Sequence, residues 1–378
     1  MKPPIYLDYN ATTPLDPEVI EAMQPFIQEQ FGNPSSGHWY GEKPEQAVIG
    51  ARQQVAKLVS CTAEEIVFTS GGTESNNHAI IGTALANKER GNHIITTQIE
   101  HPAVLEVCRY LDSQGFETTF LPVDNKGMVS VSDVAGAIRP ETILITVMHA
   151  NNEVGTIQPI AEIAELAKQS KIVFHTDAAQ SLGKIPIDVQ KLGVDMLSIA
   201  GHKIYAPKGV GALYIKEGIQ LEKFYHGAGQ ENGFRPGTEN VIGIVALGKA
   251  CEVALREIRD NPDHLRNLRD RLYNGIKSKI ETIRLNGHPE KRLPNTLSLS
   301  FHEQEADAIL AAISSQVAAS AGAACHSDTV QLSHVLEAMK IPVEWAKGTI
   351  RFSVGRMTTE TEIDQAVEAI SLTVNDLV

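Results

Sequence analysis

The chain has 378 residues, 42% of them hydrophobic and 21% charged, with a formal net charge of −13. That length leads us to expect two or three domains, and that composition an ordinary globular protein. The negative balance argues against a general nucleic-acid binder, whose basic face must neutralise phosphates, and against docking on anionic membrane.

The predicted elements alternate from about residue 45 to 215. Pro44 to Val59 carries Ala47, Val48, Ala51, Val55, Leu58 and Val59 at helical spacing. Ile66-Val67-Phe68-Thr69 is a buried strand by pattern. Strand-like runs follow at Ile94–Thr97, Thr118–Leu121, Ile143–Val147, Ile172–Phe174, Met196–Ile199 and Ala212–Ile215. Helical stretches such as Ile160–Gln169 separate most of them. This is the pattern of an α/β protein with a mostly parallel sheet covered on both faces, where ligands gather at the carboxyl ends of the strands. After Val241 the pattern changes. Val241–Ile280 reads as a long helix bending near Asn261-Pro262. Asn295–Phe301 and Ile350–Val354 alternate like half-buried strands, and Glu360–Leu377 is an amphipathic helix. A smaller α+β domain is expected there. We expect a large domain over 15–255 and a small one over 1–14 and 256–378, with the N-terminal arm crossing back.

The N-terminus has no apolar signal core. The uncharged, mostly apolar stretch Ala308 to Ala324 is broken by polar residues and is shorter than the ~20 apolar residues of a membrane span. Cys61, Cys108, Cys251 and Cys325 are dispersed, which argues against a disulfide framework and for a reducing cytoplasm.

Several strand ends carry chemistry. The strand at Met196–Ile199 runs into Ala200-Gly201-His202-Lys203, and the one at Ile172 ends in Asp177-Ala178-Ala179-Gln180. A lysine can form a Schiff base, and a carboxylate can keep a ring nitrogen protonated. Together they suit pyridoxal phosphate. Thr69-Ser70-Gly71-Gly72-Thr73 joins strand to helix and can hold a phosphate on backbone N–H groups, with Thr73 as the helix cap. It lacks the Gly-Lys-Ser/Thr ending of a nucleotide-triphosphate loop. His101 can stack on a planar cofactor, and Asn152 can bond a ring hydroxyl or a substrate. Arg351 can grip an α-carboxylate. His101, His149, His175 and His202 match no local metal spacing, so no metal is expected. Cys325 stands among small and polar residues, as on an accessible loop, where a thiol can act as a nucleophile.

Beyond these, Tyr6–Pro14, Gly32-Asn33-Pro34-Ser35-Ser36, Phe68–Ser75, His175–Gln180, Gly201–Tyr205 and Arg235-Pro236-Gly237-Thr238-Glu239-Asn240 form a recognisable set. With them the chain resembles, over nearly its whole length, the NifS/IscS-type cysteine desulfurases, in the class V branch of fold-type I pyridoxal-phosphate enzymes. The resemblance implies that Lys203 binds the cofactor, Asp177 pairs with its ring nitrogen, Gln180 with its phenolic oxygen, and His101 stacks on it. Gly72, Thr73 and His202 would hold the phosphate. Thr238 would reach the phosphate of the neighbouring subunit, so a homodimer is implied. Asn152, Arg351 and Asn33 would bind the amino acid. Cys325 would take the sulfur of L-cysteine as a persulfide, leaving alanine, and pass it to a sulfur-acceptor protein of iron–sulfur, tRNA-thiolation or DNA-modification type.

Two positions depart from the pattern. Ala200 stands where many relatives have serine. The segment Ala321–Asp328, with Gln230–Thr238, also resembles the selenocysteine lyases, yet Pro102 follows His101 where those carry an acidic residue. Selenocysteine lyase is therefore the alternative. A class V aminotransferase or kynureninase-like enzyme with an incidental Cys325, and a non-catalytic sulfur-trafficking scaffold, are the others.

Overall fold

A computed structural model of the chain describes residues 3–326 and 329–377; for residues 323–326 and 329–331 it describes the backbone course alone. The chain opens with β1 (Ile5–Tyr6), α1 (Pro17–Gln28) and α2 (Trp39–Val59). Strand and helix then alternate through β2 (Ile66–Thr69), α3 (Gly72–Ala86), β3 (His93–Thr97), α4 (Pro102–Ser113), β4 (Glu117–Leu121) and α5 (Val131–Ala137). The series continues with β5 (Thr142–Thr146), α6 (Ile160–Gln169), β6 (Val173–Asp177), α7 (Val189–Leu192), β7 (Met196–Ala200) and β8 (Gly211–Ile215).

These strands form one seven-stranded sheet in the order β2-β8-β7-β6-β5-β3-β4. Within it β8 runs antiparallel to both neighbours, and the other pairings are parallel. β5 and β7 are buried at every residue, as unbroken apolar strands must be when helices cover both faces. All the strands expected in this sheet are present, with ends within about a residue of the reading except that β6 runs on three residues past Phe174 to Asp177, because each is a short apolar run closed by turn residues.

The remainder comprises α8 (Val241–Asp260), α9 (His264–Lys277), β9 (Ile283–Asn286), β10 (Thr296–Phe301), α10 (Ala306–Ile313), β11 (Val317–Ala318) and β12 (Ser320–Ala321). It closes with β13 (Ala323–His326), β14 (Thr329–Leu332), α11 (His334–Ala338), α12 (Val343–Ala346), β15 (Thr349–Ser353) and α13 (Glu360–Asp376). An antiparallel sheet in the order β12-β15-β10-β9 packs on the helices here. The N-terminal arm joins it: β1 pairs in parallel with β11, and Leu7 is buried in the same core as Leu272, Phe352 and Ile363. Among the described residues no helix is long and apolar enough to cross a membrane.

Four expectations need correction. The helix expected from Pro44 begins at Trp39, so Pro44 lies inside it. The added turn is held by close backbone approach: a Cβ on Gly41 would sit 2.1 Å from the Ser36 carbonyl oxygen. The long helix from Val241 is two helices, not one bent helix, because Pro262 bars the residue before it from helical backbone. β10 is buried along its whole length rather than on one face. Its polar face is absorbed by protein, with Asn286 Nδ2 donating to Ser300 Oγ at 2.8 Å and Ser300 bonded to Thr349 Oγ1 at 2.7 Å. The segment of Cys325 is a hairpin of β13 and β14, with Cys325 opposite Val330, rather than an open loop.

Candidate active site

The carboxyl ends of β2, β3, β5, β6 and β7, the N-terminal arm and β15 meet at one cavity of about 320 Å³. Gly72, Thr73, His101, Asn152, Asp177, Gln180, His202, Lys203 and Arg351 all line it. A further cavity of about 350 Å³ shares Lys203 and lies toward Lys184 and Arg356, but it holds none of the other residues just named.

Lys203 follows β7 in a single 3-10 turn, Gly201–Lys203. Its Nζ donates to the carbonyls of Asn10 (2.6 Å) and Ala11 (2.7 Å). Burial, reinforced by the positive charge of Arg351, lowers its pKa from 10.5 to about 8. Asp177 ends β6. One carboxylate oxygen accepts from Asn76 Nδ2 at 2.7 Å and the other from the Ala179 N–H at 2.9 Å. Gln180 donates to the Asn10 carbonyl at 3.0 Å and accepts from Lys184 Nζ at 2.9 Å.

The turn after β2 makes an uncapped helix end. Gly71, at φ +152°, is the N-cap of α3, and no side chain caps its N–H groups. Thr73 is inside the first turn rather than the cap expected, since glycine takes this backbone without strain. An N-terminus left open in this way, at the head of a helix of 15 residues, holds an anion well. The wall opposite is tight: a Cβ on Gly72 would lie 3.2 Å from that of Ala200. His202 is pushed down to about 4 by burial and by the nearby Lys203 and Lys208, so it is a neutral imidazole there.

The far side belongs to β15. Arg351 donates to the Asn152 carbonyl (3.1 Å), to Asp8 Oδ1 (2.8 Å) and to Ser320 Oγ (3.1 Å). Among the described residues its Nε is buried with no partner. His101 is the N-cap of α4, where its Nδ1 accepts from the Ala103 N–H at 3.1 Å, and Pro102 takes the first helical position.

Asn33, expected to bind the amino acid, is not brought to this cavity, and Thr238, expected at the neighbouring subunit's site, also lies outside it. Asn33 is exposed, with its Oδ1 bonded to the Ser35 N–H at 3.0 Å, and Thr238 is exposed on the loop before α8. The side chain of Cys325 lies outside the described residues. Its hairpin is rooted where the Gly322 N–H donates to the Thr349 carbonyl of β15 at 2.8 Å.

Three residues of the site went unread in the sequence. Asn10 is buried and links both sheets: its amide donates to Thr296 Oγ1 (2.8 Å) and to the Asn152 carbonyl (3.1 Å). Asn76 orients Asp177, and its own Oδ1 is buried without a partner. Lys184 is held below its ordinary value by burial and by Lys203. Asn10 stands within the Tyr6–Pro14 segment, which was the only signal for it. His149 and His175 are core residues bonded to Ser181 (2.9 Å) and to Thr146 (2.8 Å) and Ser198 (2.9 Å). Among the described residues no three His, Cys, Asp or Glu side chains group to hold a metal.

The donor set fits pyridoxal phosphate. An amine of lowered pKa faces a carboxylate, an open helix end lies beside a neutral histidine, and a buried polar atom of Arg351 lacks a partner. Comparison with known proteins agrees. The aminotransferase class-V family model matches residues 5–366. A cysteine desulfurase IscS of Dictyoglomus turgidum is 48% identical over 378 residues, covering 100% of this chain and 96% of that protein. A solved NifS-like protein superposes with a TM-score of 0.93 at 37% identity, covering 99% of this chain and 100% of the other. A structure described as SspA in complex with cysteine has a TM-score of 0.82 at 39% identity, covering 92% of this chain and 98% of that one. The chain belongs to the aminotransferase class-V family, in its NifS/IscS-type branch.

Proposed function

We propose that the chain is a pyridoxal-phosphate-dependent cysteine desulfurase that converts L-cysteine to L-alanine and keeps the sulfur as a persulfide on Cys325. One observation carries the reading: Lys203 and Arg351, from two different sheets, open on one cavity, and the hairpin of Cys325 is rooted on the strand of Arg351. The relatives named cysteine desulfurase and the neighbour holding cysteine support it.

When bound, pyridoxal phosphate supplies an electron sink that acidifies the hydrogen on the substrate's α-carbon. Lys203 holds the cofactor and later moves that proton on Nζ; a pKa near 8 leaves part of the amine neutral for this at pH 7–8. Asp177, oriented by Asn76, keeps a proton on the ring nitrogen. His101 would stack on the cofactor, Gln180 would bond its phenolic oxygen, and Gly72, Thr73 and His202 would hold its phosphate. Arg351 and Asn152 hold the substrate carboxylate, with Arg351 giving up part of its hold on Asp8. The Cys325 thiolate bonds to the substrate sulfur as the carbon–sulfur bond breaks. The bonding pair stays on carbon, which takes up a proton and leaves as alanine.

Thr238 and Asn33, both outside the cavity, fit a homodimer in which each serves the partner's site. Phe31, Trp39 and Tyr40, exposed at 78%, 63% and 52%, would be covered there. We place the protein in the cytoplasm, with a sulfur-acceptor protein as partner. We keep the domain division at 15–255 against 1–14 plus 256–378; the separate main cores of the two sheets support it, while a smaller cluster joins Ile99, Met148 and Val154 to Val335, Leu336 and Met339 across it.

The test is Cys325→Ala in the holoenzyme. Cofactor absorbance should be kept while sulfide and alanine production from L-cysteine falls by about a hundredfold or more. Full sulfide release by the variant would sink the proposal. L-selenocysteine assayed side by side decides the lyase alternative, which a strong preference for that substrate would establish.

A further inference from the structure

The hairpin of Cys325 is fastened at its base by three sets of contacts. The first is backbone: Gly322 donates to Thr349 of β15 at 2.8 Å, and the Ser333 N–H donates to the Gly322 carbonyl at 3.1 Å. The second is His334, whose Nε2 donates to the Glu100 carbonyl at 2.9 Å, one residue before His101. The third is Ser333, whose hydroxyl donates to the carboxylate of Glu153.

Ser333 both donates and accepts at this point. Ser333 is the N-cap of α11, so its oxygen already accepts from the Val335 N–H at 3.1 Å. Its hydroxyl proton goes to the Glu153 side chain. Glu153 is equally constrained. Its N–H, and that of Val154, donate to Asn151 Oδ1 at 2.9 Å each, which locks the turn. The residue before it, Asn152, offers its carbonyl to Arg351 at 3.1 Å. Glu153 therefore joins the turn that meets Arg351 to the root of the hairpin that carries Cys325.

We infer that Glu153 is a positioning residue for sulfur transfer, which fixes the hairpin root to the turn that holds Arg351 so that thiol and substrate carboxylate share one frame. The inference rests on the desulfurase reading for its consequence, and on geometry alone for the tether. Glu153 does not line the cavity; it meets the hairpin root through Ser333, and its charge also acts on His334 and Arg351.

The experiment uses the holoenzyme with Glu153→Ala, Ser333→Ala, Ser333→Thr and the double alanine variant. Persulfide loading of Cys325 from L-cysteine is read by mass after rapid quench. Loading should slow by about tenfold in either alanine variant, since a small misplacement of a reacting group costs that much. Cofactor absorbance and the KM for L-cysteine should hold, and Ser333→Thr should restore the rate. The double variant should be no slower than either single one, because both remove the same bond. Amide exchange over residues 329–333 should quicken in the alanine variants, a readout independent of turnover. Unchanged loading and exchange, or losses that add in the double variant, would overturn the tether. If wild-type enzyme itself loads no sulfur while exchange still quickens, the desulfurase reading fails, the positioning role falls with it, and the tether alone survives.

Discussion

At the scale of single residues, the site works by taking charged groups out of water and giving each a partner. Lys203 shows the sign of this. Its pKa is lowered from 10.5 to about 8, chiefly because burial disfavours the ammonium. Between those values the unfolded chain binds more protons than the folded one, so the stability of the cofactor-free protein rises with pH across that window and is lost as pH falls through about 8. Capture of the cofactor needs the neutral amine. The apoprotein's rate of capture, followed by absorbance, should climb about tenfold per pH unit below about 8 and level off above it. A midpoint near 10.5 would mean that burial does not act on Lys203. Lys203 and Asp177 were legible as residues because each closes a strand with small neighbours beside it. Asn76 was not, since it reaches Asp177 across 101 residues of chain and nothing in its own helix marks it.

At the scale of elements, close backbone approach sets the helix positions. α8 packs on α2 at Gly248, where a Cβ would lie 2.6 Å from the Cα of Ala51 and 2.5 Å from Gln54 Oε1. Gly248→Val should force the pair apart and lower stability by about 1–3 kcal/mol, read as a lower urea midpoint. An unchanged midpoint would show that the helices can part freely. The same contact was invisible in the sequence, where a glycine within a helical pattern only weakens that pattern. The periodic segments themselves were legible, since hydrophobic spacing is a local property. Where the reading slipped, at Trp39 and at Asn261–Asp263, the deciding factor was a proline, inside the helix at Pro44 and ending one at Pro262.

At the scale of the whole molecule, the N-terminal arm and the second sheet close the site. Arg356 reaches from the small sheet's side to stack 4.1 Å over Tyr205 and to pair with Asp16, which fixes the two parts beside Lys203. The exposed ring of Trp39, beside Phe31 and Tyr40, belongs on a subunit interface under the proposed homodimer. Trp39→Asp should shift the mass measured by light scattering from dimer toward monomer. It should also weaken cofactor retention, because the contact proposed for Thr238 of the partner subunit would then be lost. A variant that stays dimeric would place the interface elsewhere.

Strand and helix content, the parallel sheet and the residue types at its carboxyl ends could be read directly, because hydrophobic period and strand-end chemistry are encoded within a few neighbouring positions. That Gly72, Thr73, His101, Asn152, Asp177, Gln180, His202, Lys203 and Arg351 share a cavity followed from the family resemblance and not from the local pattern. Lys203 meets the Asn10 carbonyl over 193 residues and Arg351 meets Asp8 over 343, and pairings at such separations depend on how the sheets pack. Asn33 carries the same lesson: the resemblance implied that it binds the amino acid, but one folded chain leaves it outside the cavity. The register of strands and the crossing of the arm, which are properties of packing, select the residues that face the cavity.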